Sequence, residues 1–159
     1  MAALESRDRG RVEAIWIRAE SGGTPESRER ASLEAGRGIA GDRYWNASSP
    51  DTPSPPGRAL TLIEAEAIEG LREDTGIVIG AEQSGRNVVT RGIALNALVG
   101  KRFRVGGVEC EGVELCHPCR TFERRTEQGV LKGMTNRGGL NADILIDGEI
   151  AVGDEIAVL

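Results

Sequence analysis

Short apolar segments, separated by glycines, prolines and charged residues, recur along most of the chain. Two pairs of them flank the two-residue turns Gly106-Gly107 and Asp147-Gly148, which predicts two β-hairpins. This spacing favours a mainly β fold, a closed barrel with a few short helices, over a parallel βαβ sheet. The predicted strands are 12–17, 59–63, 87–90, 103–105, 108–110, 142–146, 149–152 and 155–159.

Helical spacing of apolar residues begins where the segment 59–63 ends. Ala65, Ile68 and Leu71 recur every three residues, and Gly76 follows the last of them closely. This pattern predicts a helix from about residue 64 to 74. A second, shorter helical turn is predicted over 95–99.

Two segments carry few apolar residues and are predicted to be loops. Residues 21–37 are polar and charged, and residues 48–57 contain four of the six prolines. The sequence shows no internal repeat and no change in composition that would mark a second domain. We therefore predict a single domain over residues 1–159, with its core from about residue 10.

Composition limits the partners that we expect. The net charge is −5 and aromatic residues make up 3% of the chain, which argues against nucleic acid and anionic lipid as ligands. No segment has the roughly 20 apolar residues that a membrane span needs, and residues 1–8 do not resemble a signal peptide. We expect a cytoplasmic protein with reduced thiols and no membrane partner.

The basic residues are almost all arginine, since Lys101 and Lys132 are the two lysines. Codon bias in a GC-rich genome would explain this preference. A functional explanation is the recognition of phosphate-like anions, which guanidinium groups bind in a bidentate manner. The two explanations are compatible.

The segment Cys116-His117-Pro118-Cys119 is the main candidate for chemistry. With Cys110 it offers ligands for zinc, but no second pair of ligands lies elsewhere in the sequence. A dithiol redox couple would need the first cysteine at the start of a helix in a βαβ unit, a context that we do not expect here. The cysteines could also be inert core residues.

We favour a single functional thiolate at Cys119. Pro118 biases His117 to an extended conformation, so Cys119 follows a rigid stretch. Arg120, Arg124 and Arg125 follow it in the sequence. Cationic neighbours of this kind lower the pKa of a thiol and so increase the fraction of reactive thiolate.

With these residues in view, the chain resembles the MOSC family, named for the C-terminal domain of molybdenum cofactor sulfurases. The resemblance covers about residues 10–159, and its motifs occur in the family's order. They are Gly38-Ile39-Ala40-Gly41-Asp42-Arg43, Leu60-Thr61-Leu62-Ile63, the segment 85–93 with Leu98-Val99-Gly100, Pro118-Cys119, and Gly148-Glu149-Ile150-Ala151-Val152-Gly153-Asp154.

The resemblance implies a β-barrel with a central groove that binds the molybdenum cofactor, molybdopterin. It implies that Cys119 ligates molybdenum or carries sulfur as a persulfide, with an electron-transfer protein or a cysteine desulfurase as partner. The reduction of N-hydroxylated substrates is a further implication. The implied cofactor-binding residues are Asp42, Arg43, Arg86, Asn87, Arg120 and Arg137.

Some alternatives stay open at this point. Pyridoxal phosphate is not expected on this chain, because neither lysine lies in a suitable context. The pair Cys116 and Cys119 leaves open which thiol reacts. A non-catalytic module that holds a partner protein or an anionic ligand in the same groove is the alternative function.

Overall fold

The structure is a computed structural model that describes residues 7–118 and 120–159. Its strands are β1 (Arg9–Ile17), β2 (Glu26–Arg28), β3 (Arg30–Glu34), β4 (Gly38–Ile39), β5 (Leu60–Glu64), β6 (Val88–Arg91), β7 (Arg102–Val105), β8 (Val108–Leu115), β9 (Leu140–Ile144), β10 (Gly148–Ala151) and β11 (Glu155–Val158). Its helices are α1 (Arg43–Asn46), α2 (Ala65–Thr75), α3 (Arg120–Arg125) and α4 (Val130–Gly133).

Seven strands form a closed barrel. Their order is β11-β7-β8-β9-β5-β6-β1, and β11 pairs with β1 to close it, while β2 extends the sheet beyond β1. Strands β5 and β6 are parallel and are connected through α2, whereas the other pairs in the barrel are antiparallel. A small second sheet has the order β10-β3-β4. The predicted mainly β barrel with few short helices is confirmed.

Apolar residues fill both the inside and one outer side of the barrel. Alternate residues of its strands point inward, and they include Val12, Leu60, Phe103, Leu140 and Ile156. A second cluster packs Ile63 of β5 and Val89 of β6 against the helices on the outer side of the barrel. The helical side is formed by residues in or next to α2, α3 and α4, namely Leu71, Phe122, Val130 and Met134. Among the described helices, none is long and apolar enough to cross a membrane.

Several predicted elements are confirmed with small shifts at their ends. Helix α2 occupies Ala65–Thr75 and ends at Gly76, whose φ of 76° is in the left-handed region that favours glycine. The Gly106-Gly107 hairpin is also present, since Val105 pairs with Val108. The turn predicted over 95–99 is a 3₁₀ turn at Leu95–Leu98.

The hairpin predicted around Asp147-Gly148 is wrong. Strand β9 pairs with β8 and β5 in the barrel, whereas β10 pairs with β3 in the small sheet. The Asp147 carboxylate accepts a hydrogen bond from the Ala35 backbone N–H at 2.7 Å. This contact ties the turn to the small sheet, so the chain leaves the barrel after β9 and does not fold back along it.

The loop predicted over 21–37 is also wrong, because the segment contains β2 and β3. Strand β2 pairs with β1, and β3 pairs with β10 and β4. These strands are largely exposed and held by backbone hydrogen bonds. Their side chains therefore carry little of the hydrophobic alternation that would have predicted them. The proline-rich segment 48–57, in contrast, contains no strand or helix.

Candidate functional site

A cleft of about 510 Å³ opens at one end of the barrel. The ends of β1 and β8 and the starts of β5, β6 and β9 meet there. The lining residues in these strands or directly beside them are Trp16, Ile17, Arg18, Thr61, Asn87, Cys116 and Asn141. Loops and short helices add Asp42, Arg43, Tyr44, Arg58, Arg86 and Arg125, among others.

Asp42 and Asn87 form a buried polar floor. The Asp42 carboxylate is 4% exposed and accepts a hydrogen bond from the Arg18 backbone N–H at 3.0 Å. The Asn87 side-chain amide donates to the Trp16 carbonyl at 3.1 Å and to Asp42 at 3.4 Å. Its oxygen accepts hydrogen bonds from the Thr61 backbone N–H and hydroxyl. These contacts join β1, β5 and β6 beneath the cleft.

Four arginines converge above this floor: Arg18, Arg43, Arg86 and Arg125. The pKa of Arg18 is lowered by burial first, and then by the positive charges of Arg125, Arg43 and Arg86, while Asp42 partly opposes the shift. The positive charges of the four side chains repel one another. An anion that enters the cleft would offset this repulsion and stabilise the cluster. We call these four residues the guanidinium cluster.

Two members of the cluster are held by packing on an aromatic ring. The guanidinium carbons of Arg86 and Arg125 lie 5.7 Å and 5.8 Å from the centre of the Phe122 ring, in the range of cation–π contacts. Arg86 Nε also donates to the Gly138 carbonyl at 2.8 Å. These contacts orient the two arginines before a ligand binds.

A glycine lets the chain at Cys116 approach the cleft closely. A Cβ atom at Gly138 would clash with the Cys116 carbonyl oxygen and lie 3.0 Å from Pro118 Cδ. Cys116 is half-buried and lines the cleft. Gly138 therefore packs directly against the cysteine segment, which a larger residue at this position would displace.

The structure describes two of the three cysteines, Cys110 and Cys116. Cys119, predicted as the functional thiol, lies outside the described residues. Cys110 is fully buried inside the barrel, where burial raises its pKa to about 12, so it is not a nucleophile near neutral pH. Within residues 7–118 and 120–159, no three His, Cys, Asp or Glu side chains are arranged to hold a metal ion.

The structure brings together four of the residues predicted to bind cofactor, namely Asp42, Arg43, Arg86 and Asn87. The other two lie outside the cleft lining. Arg120 is exposed at the start of α3, and Arg137 forms an ion pair with Asp74 beside α2. Sequence position did not separate them from the others, because Arg120 directly follows Pro118-Cys119 and Arg137 lies in the glycine-rich stretch Asn136-Arg137-Gly138-Gly139.

Three charged or amide residues of the lining were not singled out from the sequence: Arg18, Arg58 and Asn141. Arg18 directly follows the predicted strand 12–17, so its place at a strand end was a signal that could have been used. Asn141 directly precedes the predicted strand 142–146. Arg58 lies in a segment without a recognisable motif, and Arg125 was noted only as a cationic neighbour of Cys119.

The donor set of the cleft fits an anionic, nitrogen-containing ligand such as molybdopterin. The guanidinium cluster suits a phosphate group. Two buried polar atoms of lining residues, the Trp16 indole nitrogen and the Asn141 amide oxygen, have no hydrogen-bond partner among the described residues. Buried groups of this kind are normally paired, so they match polar groups that a ligand would supply.

Comparison with known families adds to this geometry. The family model described as the MOSC domain matches residues 45–157 of the chain. No curated protein matches the chain.

Solved structures share the fold at low sequence identity. YuaD from Bacillus subtilis has a TM-score of 0.79 and 18% identity, with 94% of this chain and 95% of that chain covered. YiiM from Geobacillus stearothermophilus has a TM-score of 0.71 and 12% identity, covering 94% and 75%. YiiM from Escherichia coli has a TM-score of 0.67 and 16% identity, covering 94% and 69%. At these identities the similarity establishes the fold.

Proposed function

Because the chain belongs to the MOSC domain family, we propose that its cleft binds the molybdenum cofactor, with Cys119 as the sulfur ligand. The observation that carries the proposal is the convergence of four arginines in the guanidinium cluster, where burial first, and then the positive charges of the other three, lower the pKa of Arg18. An anion that binds there relieves this repulsion. The cofactor has the required chemistry, since molybdopterin carries a phosphate and an anionic dithiolene.

Each part of the cleft has a distinct role in this proposal. Arg18 and Arg86 donate N–H groups to the phosphate, which spreads several charge-assisted hydrogen bonds over its oxygens. The buried Asp42 carboxylate holds the Arg18 backbone in place by a hydrogen bond of 3.0 Å. Cys119 adds one thiolate, the soft ligand type that a molybdenum centre accepts beside harder ligands.

When bound, the cofactor supplies the redox chemistry of molybdenum. We propose reduction of an N-hydroxylated substrate with electrons from a partner protein. The chain's own contribution is then to bind the cofactor anion, orient it and leave the cleft open for a substrate.

The decisive measurement is the molybdenum and pterin content of protein purified from a host that makes the cofactor. We expect the wild-type protein to contain both. Arg18→Gln removes one cation from the cluster and should lower the content about 10-fold, equivalent to roughly 1.4 kcal/mol of binding free energy. Arg102→Gln is the matched control, because Arg102 is exposed on β7 and should leave the content unchanged.

Two results would overturn the proposal. The first is wild-type protein without molybdenum and pterin from a competent host. The second is an equal loss of molybdenum and pterin in Arg18→Gln and Arg102→Gln, because the cofactor content would then not depend on the cleft. Cys119→Ala should lower molybdenum retention more than pterin retention if the thiolate ligates the metal.

A sulfur-carrier function is the second candidate, and the observation that favours it is the presence of Cys116 in the cleft lining, three residues before Cys119. In this reaction the Cys119 thiolate attacks the outer sulfur of a desulfurase persulfide, and the desulfurase thiolate leaves. Incubation with a cysteine desulfurase and free cysteine should add about 32 Da, the mass of one sulfur atom, to Cys119. Cys119→Ser should abolish this mass shift, whereas Cys116→Ser should retain it.

The same variants test the non-catalytic alternative. A module that holds a partner protein or an anionic ligand needs the cleft but not the thiol. If Cys119→Ser leaves metal content, pterin content and the sulfur mass shift unchanged, the binding-module function replaces both proposals.

A further inference from the structure

Asn141, on β9, has one half of its side-chain amide engaged and the other half unpaired. The residue is 3% exposed and lines the cleft. Its Nδ2 donates to the Glu114 carboxylate at 3.4 Å, and its Oδ1 has no donor among the residues that the structure describes. A buried amide oxygen left without a donor costs about 1–3 kcal/mol, so a partner for it is expected.

The orientation of this amide is set by its neighbours. Rotation by 180° would place Oδ1 against the Glu114 carboxylate, where two acceptors would repel each other. Thr61, the residue opposite Asn141 on β5, cannot satisfy Oδ1, because its hydroxyl already donates to Asn87 at 3.0 Å. Among the described residues, Asn141 Oδ1 is therefore a hydrogen-bond acceptor without a donor at this side of the cleft.

We infer that Asn141 Oδ1 accepts a hydrogen bond from an N–H group of the bound ligand and so determines specificity for a nitrogen heterocycle that carries such a donor. The inference rests on the proposed function, because it concerns the same cleft. The guanidinium cluster selects an anionic acceptor, whereas the Asn141 oxygen repels anions and selects a donor. A ligand with a phosphate at one end and an aminated heterocycle at the other, as in a phosphorylated pterin, satisfies both.

The test compares two probes by isothermal titration calorimetry on the full chain. One probe is 6-hydroxymethylpterin, which carries N–H donors and no anionic group. The other is inorganic pyrophosphate, which is an anion without N–H donors. Wild-type protein should bind both, each through a different part of the cleft.

Asn141→Leu keeps the side-chain volume and removes the acceptor. We expect its Kd for the pterin to rise about 10-fold and its Kd for pyrophosphate to change by less than about twofold, since a site built around a hydrogen bond discriminates strongly against its loss. Asn141→Asp combined with Glu114→Gln keeps the acceptor and avoids two adjacent carboxylates, because the amide introduced at position 114 can donate to the carboxylate at position 141. Pterin binding by this double variant should stay within about threefold of wild type. Asn96→Leu is the matched control, because Asn96 is exposed and outside the cleft lining, and it should change neither Kd.

The outcomes separate this inference from the proposed function. If the wild-type protein binds neither probe, the cofactor proposal fails and the inference fails with it. If the wild-type protein binds both probes and Asn141→Leu binds the pterin as well as wild type, the inference alone fails. A pterin Kd in the Asn141→Asp, Glu114→Gln double variant as weak as in Asn141→Leu would also overturn it, provided that circular dichroism shows both variants folded.

Discussion

At the scale of single residues, the cleft combines side chains that hold the fold with side chains that remain for a ligand. Asn87 uses both ends of its amide internally, on the Trp16 carbonyl and on Thr61. Asn141 uses only its nitrogen. Both are buried asparagines of the same cleft, so residue type and burial alone do not distinguish their roles.

Asn87 should therefore matter for stability more than an ordinary polar residue. Asn87→Ala leaves the Thr61 groups and the Trp16 carbonyl without their partner, and we expect the free energy of unfolding to fall by about 2–4 kcal/mol. Urea denaturation followed by circular dichroism would measure this. Asn96→Ala, at an exposed position, should stay within about 0.5 kcal/mol of wild type, and a similar loss in both variants would contradict the structural role of Asn87.

Cys110 makes stability depend on pH in the alkaline range. Burial raises its pKa from 9.0 to about 12. Above pH 9 the unfolded chain releases this proton while the folded chain retains it, so the free energy of unfolding falls as pH rises from 9 to 12. Below pH 9 the thiol is neutral in both states, so its full contribution to the free energy of unfolding is present.

Cys110→Val removes this titration while keeping an apolar side chain in the barrel. Between pH 8 and pH 10, wild type should lose about 1.4 kcal/mol more unfolding free energy than the variant does. Urea denaturation at the two pH values would measure the difference. Equal losses would show that the Cys110 thiol ionises as easily in the folded as in the unfolded state.

At the scale of elements, the sequence predicted the longer elements with a regular apolar pattern and missed short or largely exposed ones. Helix α2 and the β7–β8 hairpin follow from apolar spacing together with glycine turns. Strand β2 is exposed and polar, and β3 has one buried side chain, Leu33. The partner of β3 in the small sheet, β10, lies more than 100 positions away, so this pairing leaves no local pattern.

The turn at Asp147 shows most clearly how a long-range contact can override a local pattern. Its sequence is typical of a hairpin, but its carboxylate binds the backbone of Ala35, directly after β3 of the small sheet. Asp147→Ala removes the acceptor of the Ala35 N–H, and we expect a loss of about 1 kcal/mol in unfolding free energy. Hydrogen exchange should become faster in β3 and stay unchanged in β8. Asp51→Ala, at an exposed loop position, is the control, and equal protection of β3 in both variants would contradict the role of this contact.

At the scale of the whole molecule, the cleft depends on the barrel being closed. Strands β1, β5 and β9 supply residues to its lining, and Asn87 and Cys116 lie directly beside β6 and β8. The β11–β1 and β11–β7 pairings hold these strands in a ring. The sequence predicted a barrel and four of the cleft residues. It could not predict the guanidinium cluster, because Arg18, Arg43, Arg86 and Arg125 come from distant segments that only closure brings together.

Because β11 closes the barrel, it should affect both the stability of the protein and the arrangement of the cleft. Ile156 is fully buried on β11, between Gly10 of β1 and Val105 of β7. Ile156→Ala removes apolar contacts inside the ring, and we expect a loss of about 2–5 kcal/mol in unfolding free energy, measured by urea denaturation. Val78→Ala, at a position that is 66% exposed, should stay within about 0.5 kcal/mol of wild type. If Ile156→Ala unfolds no more easily than Val78→Ala, β11 does not hold the ring closed, and the geometry of the guanidinium cluster would need another cause.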